Sequence, residues 1–117
     1  MQANIDIKWG RKNRVLIAML EGRFDGRNAD AFERMLDLGI DPGDEALIMD
    51  FEHVSFMSSA GLRIGLRMAK RFGEPGKRFA VCALPESVRH IVTVSGFDKI
   101  IPIYDTQASA VEAVENG

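Results

Sequence analysis

The sequence predicts an α/β domain: a five-stranded, mixed but mainly parallel sheet with about four helices. Three observations predict it. Short apolar runs alternate along the chain with stretches of helical periodicity, the pattern of βαβ crossovers. Three of those runs, "RVLIAMLEG", "ALIMDF" and "RFAVCAL", are apolar at nearly every position, as strands buried on both faces are. The 117 residues, 46% of them hydrophobic, suit one domain with a substantial core, and no repeat, low-complexity tract or linker divides them.

The elements follow in order. "NIDIKW" alternates, with Ile5, Ile7 and Trp9 on one side, and reads as a half-buried first strand. "GRKN" is a turn. "RVLIAMLEG" is the second strand and is expected to stop at Gly22. "NADAFERMLDLGI" places Ala31, Met35 and Leu38 at helical spacing, flanked by Phe32 and Leu36, with Asn28 or Asp30 as N-cap. After the acidic turn "DPGDE", "ALIMDF" is the third strand, and a helix is expected from about Ser59 to Phe72. Its core stripe is read as Leu62, Leu66 and Ala69, with Gly65 between them, and its basic stripe as Arg63, Arg67 and Lys70. "EPGK" is a turn and "RFAVCAL" the fourth strand. "PESVRHIVTVSGF" is a helix with Pro85 in its first turn and Gly96 as its stop. "IIPIY" is an edge strand, because Pro102 cannot donate a ladder bond. "TQASAVEAV" closes as a helix capped by Thr106, with Ala110, Val111 and Val114 as its apolar stripe.

Composition narrows the function. A net charge of −2 does not suggest broad affinity for nucleic acid. No apolar run approaches the ~20 residues that span a bilayer, and the N-terminus lacks the apolar core of a signal peptide, so the expected compartment is the cytoplasm. The single cysteine, Cys82, provides neither an internal disulfide nor a cysteine-based metal set and reads as a core residue. His53 and His90 have no second ligand at metal spacing, and His53 is expected in a loop after the third strand. Met19, Met49, Met57 and Met68 read as core filler, with Met57 partly exposed at the loop. Trp9 is expected to cap one end of the sheet, with a partner-facing role as the alternative.

The segment "SFMSSAGLR" stands where the third strand gives way to a helix, near the carboxyl ends of the strands, where open α/β sheets bind ligands. Either Ser58 or Ser59 could cap that helix. A phosphate there would meet the favourable end of the helix dipole. Gly61 would allow another backbone to approach closely. Arg63, four residues after Ser59, could pair with such a phosphate. Serine catalysis lacks a base and an orienting acid, "MSSAG" lacks the first glycine of a nucleophile elbow, and no phosphate-binding glycine loop is present. The chain is therefore not expected to be an enzyme or to need a cofactor or metal.

"LIMDFEHVSFMSSAGLRIGLRMAKR" resembles the signature of the STAS domain family, the bacterial anti-sigma factor antagonists. "LEGRFDGRNADAF" is similar to the family's segment before its first helix, and "ESVRHIVTVSGFDKIIPIYDTQASAVEAV" to its ending, so the resemblance covers nearly the whole of residues 1–117 as one STAS-like domain. It implies a protein that, unphosphorylated, binds a serine-kinase anti-sigma factor and so frees a sigma factor. Phosphorylation by that kinase breaks the complex, and a serine phosphatase resets it. The implied phosphoacceptor is Ser59, with Ser58 the alternative. Ser58 stands where many members carry Asp. With the basic stripe read as a docking edge, the expected contact surface comprises Asp25, Met57, Ser58, Ser59, Gly61, Leu62, Arg63 and Arg67, on a monomer or weak dimer. The alternative reading is an accessory or scaffold subunit of an ABC-type lipid or solute transporter, or of another signalling complex.

Overall fold

The computed structural model describes residues 5–116. The elements are β1 (Ile5–Lys12), β2 (Val15–Phe24), α1 (Ala29–Gly39), β3 (Ala46–Met57), α2 (Ser59–Arg71), β4 (Arg78–Cys82), α3 (Glu86–Val94), β5 (Ile103–Tyr104) and α4 (Gln107–Asn116), with a single 3₁₀ turn at Phe97–Lys99. One sheet runs in the order β1-β2-β3-β4-β5. β1 pairs with β2 antiparallel, and every later pair is parallel. The expected mixed, mainly parallel five-stranded sheet with four helices is thus the fold. Asn4, where the first strand was expected to begin, and the side chain of Ile5 lie outside the described residues.

Alternate residues of each strand enter opposite cores, as a period of two requires. Leu16, Ala18, Leu20, Leu47, Met49, Phe79 and Val81 face α1, α2 and α3, which supply Phe32, Leu36, Ile64, Met68, Val88 and Val92. Val15, Ile17, Ala46, Ile48, Ala80 and Cys82 face α4, through Ala110 and Val114. At the amino ends of the parallel strands, the buried Asp44 accepts hydrogen bonds from Arg11 Nε and Nη2 at 2.9 and 2.8 Å and from the Asp41 amide at 2.8 Å. Burial alone would raise the Asp44 pKa. The hydrogen bonds from Arg11 and Asp41, with the charges of Arg11 and Lys77, outweigh it and hold the pKa below the ordinary value.

The small chain signals act as read. Gly96 takes φ +83° after α3, a left-handed stop. Thr106 Oγ1 accepts from the Ser109 amide at 3.1 Å and caps α4. β5 is a two-residue edge strand directly after Pro102.

Four expectations are corrected. α1 buries Phe32 and Leu36, whereas Leu38 is 86% exposed, because the helix turns the flanking stripe toward the sheet. α2 buries Ile64 and Met68 beside Leu62, and Leu66 and Ala69 stay only half-buried. β2 does not stop at Gly22. That residue takes φ +107° next to a register shift, so it bends the strand and lets it continue to Phe24. β3 likewise runs six residues beyond "ALIMDF" along β2, which places His53 in the strand opposite Glu21. Trp9 is 40% exposed, and its ring covers Gly39, where a Cβ would collide with it.

Candidate functional site

The long β2–β3 pairing brings the site together. Phe24 and Met57 are the last register partners, and the Ser58 amide donates to the Phe24 carbonyl at 3.0 Å. The loop after β2 and the start of α2 are thereby tied at the carboxyl end of the sheet. Of the two serines, Ser58 is the N-cap: extended backbone, with its Oγ accepting from the Ala60 amide at 3.2 Å. Ser59 is the first helical residue and is exposed. The two hydroxyls therefore have different work, one holding the helix start and the other open to solvent.

Beneath them the packing is tight. A Cβ on Gly61 would stand 2.8 Å from Met57 Cγ and 2.9 Å from Phe24 Cγ. The approach that requires a glycine here comes from this chain's own side chains. Met57, Gly61 and Leu62 are all buried, so Met57 is not partly exposed, and these three of the expected contact residues support the loop from below. Phe24 is in turn held by Phe32, ring centroids 4.1 Å apart at 72°.

Asp25 follows Phe24 and is nearly buried. Its Oδ1 accepts from the Arg27 amide at 3.0 Å, and its own amide donates to Asn28 Oδ1 at 3.0 Å. Asn28 Nδ2 donates to the Arg23 carbonyl at 2.6 Å, so Asn28 stands at the N-cap of α1 but spends its side chain on the loop. The hydrogen bond from the Arg27 amide, aided by the charges of Arg27 and Arg23, holds the Asp25 carboxyl below its usual range against the opposing effect of burial. Arg23 and Arg27 are functional candidates that the sequence reading did not single out. Their signal is the spacing R-x-D-x-R across the end of a strand. Phe56 is another: it is 38% exposed, and the Arg23 guanidinium lies 4.3 Å from its ring centroid.

The basic stripe of α2 divides. Arg67 Nη1 binds both carboxylate oxygens of Glu33 at 2.7 and 2.9 Å, and Arg71 binds Asp37 at 2.8 Å, so these two clamp α2 to α1. Arg63 is exposed and makes no ion pair among the described residues. No described helix is long and apolar enough to cross a membrane.

The STAS domain family model matches residues 7–110. The anti-sigma F factor antagonist of Paenibacillus polymyxa is 30% identical over 113 residues, 96% of this chain and 97% of that protein. The crystal structure of an anti-sigma factor antagonist from Mycobacterium paratuberculosis superposes with a TM-score of 0.85 at 27% identity, covering 95% of this chain and 94% of that one. Bacillus SpoIIAA in its phosphorylated form shares the fold at a TM-score of 0.70 and 19% identity, covering 93% and 99%. The chain belongs to the STAS domain family, and these anti-sigma factor antagonists are among its relatives.

Proposed function

We propose that the protein is itself an anti-sigma factor antagonist controlled by phosphorylation of Ser59. In the unphosphorylated state it binds a serine-kinase anti-sigma factor and releases the sigma factor that the kinase holds. The observation that carries this reading is the division of labour between the serines: Ser58 spends its hydroxyl on the cap, and Ser59 presents its own to solvent. A phosphate there adds nearly two negative charges where the dipole of α2 favours them, so the isolated domain tolerates it. In a packed interface the same charge is desolvated, and a cost of a few kcal/mol lowers affinity by orders of magnitude. The phosphorylated structure of SpoIIAA and the names of the relatives support the reading. Ser59, Ser58, Arg63 and the rim of Asp25 form the contact surface. Arg67 steadies it through Glu33, and Met57, Gly61 and Leu62 shape it from beneath.

The test is intact-mass analysis and site mapping after incubation with ATP and a serine-kinase anti-sigma factor of the same organism, with Ser59→Ala and Ser58→Ala in parallel. The expected result is a single phosphate that disappears only in Ser59→Ala, with kinase binding lost on phosphorylation. A phosphate retained in Ser59→Ala, or unchanged binding after complete modification, overturns the reading.

A further inference from the structure

The end of the β2–β3 ribbon carries more positive charge than the fold uses. Arg23 Nε and Arg27 Nη2 lie 3.5 and 3.6 Å from the same oxygen, Asp25 Oδ2. Charge-assisted hydrogen bonds run at about 2.7–2.9 Å. Three arginines in this protein reach that range, Arg11 with Asp44 at 2.8 Å, Arg67 with Glu33 at 2.7 Å and Arg71 with Asp37 at 2.8 Å, whereas Arg14 with Glu45 and Arg89 with Asp105 stand apart at 3.7 and 3.6 Å, each at a carboxylate of its own. Arg23 and Arg27 do not. One carboxylate, whose other oxygen already receives the Arg27 amide, gathers two guanidinium groups without satisfying either. The Asp25 side chain is 12% exposed, while Arg23 and Arg27 are 45% and 75% exposed, so their donors face outward. Phe56 supports the Arg23 guanidinium from its ring face. The residue between Arg23 and Asp25 is Phe24, whose carbonyl accepts from the Ser58 amide at 3.0 Å, so the backbone that bears this pair is bonded to the residue preceding Ser59.

We propose that Arg23 and Arg27, gathered by Asp25, form the receptor for a phosphomonoester on Ser59, and that the phosphate reverses the sign of this patch. The inference rests on the reading of Ser59 as phosphoacceptor and deepens it. A phosphomonoester dianion offers three acceptor oxygens, and each arginine can supply two parallel N–H donors to them. Two guanidinium groups and one carboxylate leave the patch with one excess positive charge. A phosphate of nearly two negative charges leaves it about one negative. The ribbon keeps its shape, and a partner meets the opposite charge.

The test installs phosphoserine at position 59 during translation, so neither kinase nor partner is needed, and follows the second phosphate ionisation by phosphorus NMR. The expected value lies about one unit below the ~6 of free phosphoserine, because the arginines favour the dianion. Arg23→Gln and Arg27→Gln should each restore part of the shift and the double variant nearly all of it, while Arg63→Gln restores less than either. Arg27 is the more exposed of the two, so its single variant decides the matter if the double variant does not fold. A value near 6 in the parent overturns the proposal. So does a depression that is unchanged in Arg27→Gln, or one that is relieved only in Arg63→Gln. Such a result leaves the assignment of Ser59 standing, whereas failure of the kinase reaction leaves this receptor standing.

Discussion

Gly61 and Gly65 sit one turn apart on α2, and replacing each by alanine should move stability in opposite directions. Alanine in place of a helical glycine gains up to ~1 kcal/mol from backbone conformation alone. At Gly65 nothing lies within 4 Å of the added Cβ, so that gain is kept. Gly65→Ala should therefore stabilise by about 0.5–1 kcal/mol. At Gly61 the Cβ meets Met57 Cγ at 2.8 Å and two Phe24 ring atoms at 2.9 and 3.1 Å. Phe24 is fully buried and backed by Phe32, so it has little room to yield. Overpacking of this kind costs about 1–3 kcal/mol. The propensity gain is smaller here, because Gly61 lies in the first turn. Gly61→Ala should then destabilise by about 1–2 kcal/mol. Urea unfolding at pH 7 reads both, as midpoint shifts at constant slope. If Gly61→Ala proves as stable as Gly65→Ala, the contact with Phe24 and Met57 does not account for the glycine beneath the Ser58–Ser59 loop.

Other consequences are as open to measurement. Ser58→Ala should lose about 1 kcal/mol with the cap, while Ser59→Ala should stay within ~0.5 kcal/mol of the parent in the same urea titration. Asp44→Ala leaves Arg11 and the Asp41 amide without their acceptor and should cost about 1–3 kcal/mol at pH 7. Because the Asp44 pKa in the folded protein lies below its ordinary 3.8, its contribution is complete above that value and is lost as the pH falls through the folded pKa. Parent and variant should thus draw together only as the pH falls below 3.8 in an acid unfolding series. Burial, aided by the charges of Asp50 and Glu52, pushes the Cys82 thiol up to about 12. A thiol reagent at pH 8 should leave Cys82 unlabelled in the folded protein and label it in full once urea unfolds the chain.

The order of elements was legible because its signals are local. Gly96, Pro102 and Thr106 act through their own backbone or the next turn, and the apolar runs mark buried strands whatever their neighbours. The faces of α1 and α2 were less legible. Ala31, Met35 and Leu38 repeat at the same spacing as Phe32 and Leu36, and only the docked sheet decides which stripe is buried. The length of β3 was hidden for a related reason. Beyond Phe51 its burial skips two residues between Val54 and Met57, because register shifts against β2 displace the alternation. The helix start at Ser59 was legible in its motif. The pairing of Arg23 and Arg27 on Asp25 was not, since it depends on β2 continuing past Gly22.

The ribbon that carries the site also has an open flank. β3 pairs with β4 only from Ala46 to Asp50, so from Phe51 onward it has β2 on one side and, among the described residues, no strand on the other. A long unpaired strand edge invites pairing with another chain and is a hazard for aggregation. Here the two register shifts twist the ribbon away from the flat geometry such pairing needs, and the exposed Glu52 and His53 put polar groups along the edge. The bulges that carry Arg23, Phe56 and Ser58 out to the end of the sheet thus also guard the chain against self-templated assembly.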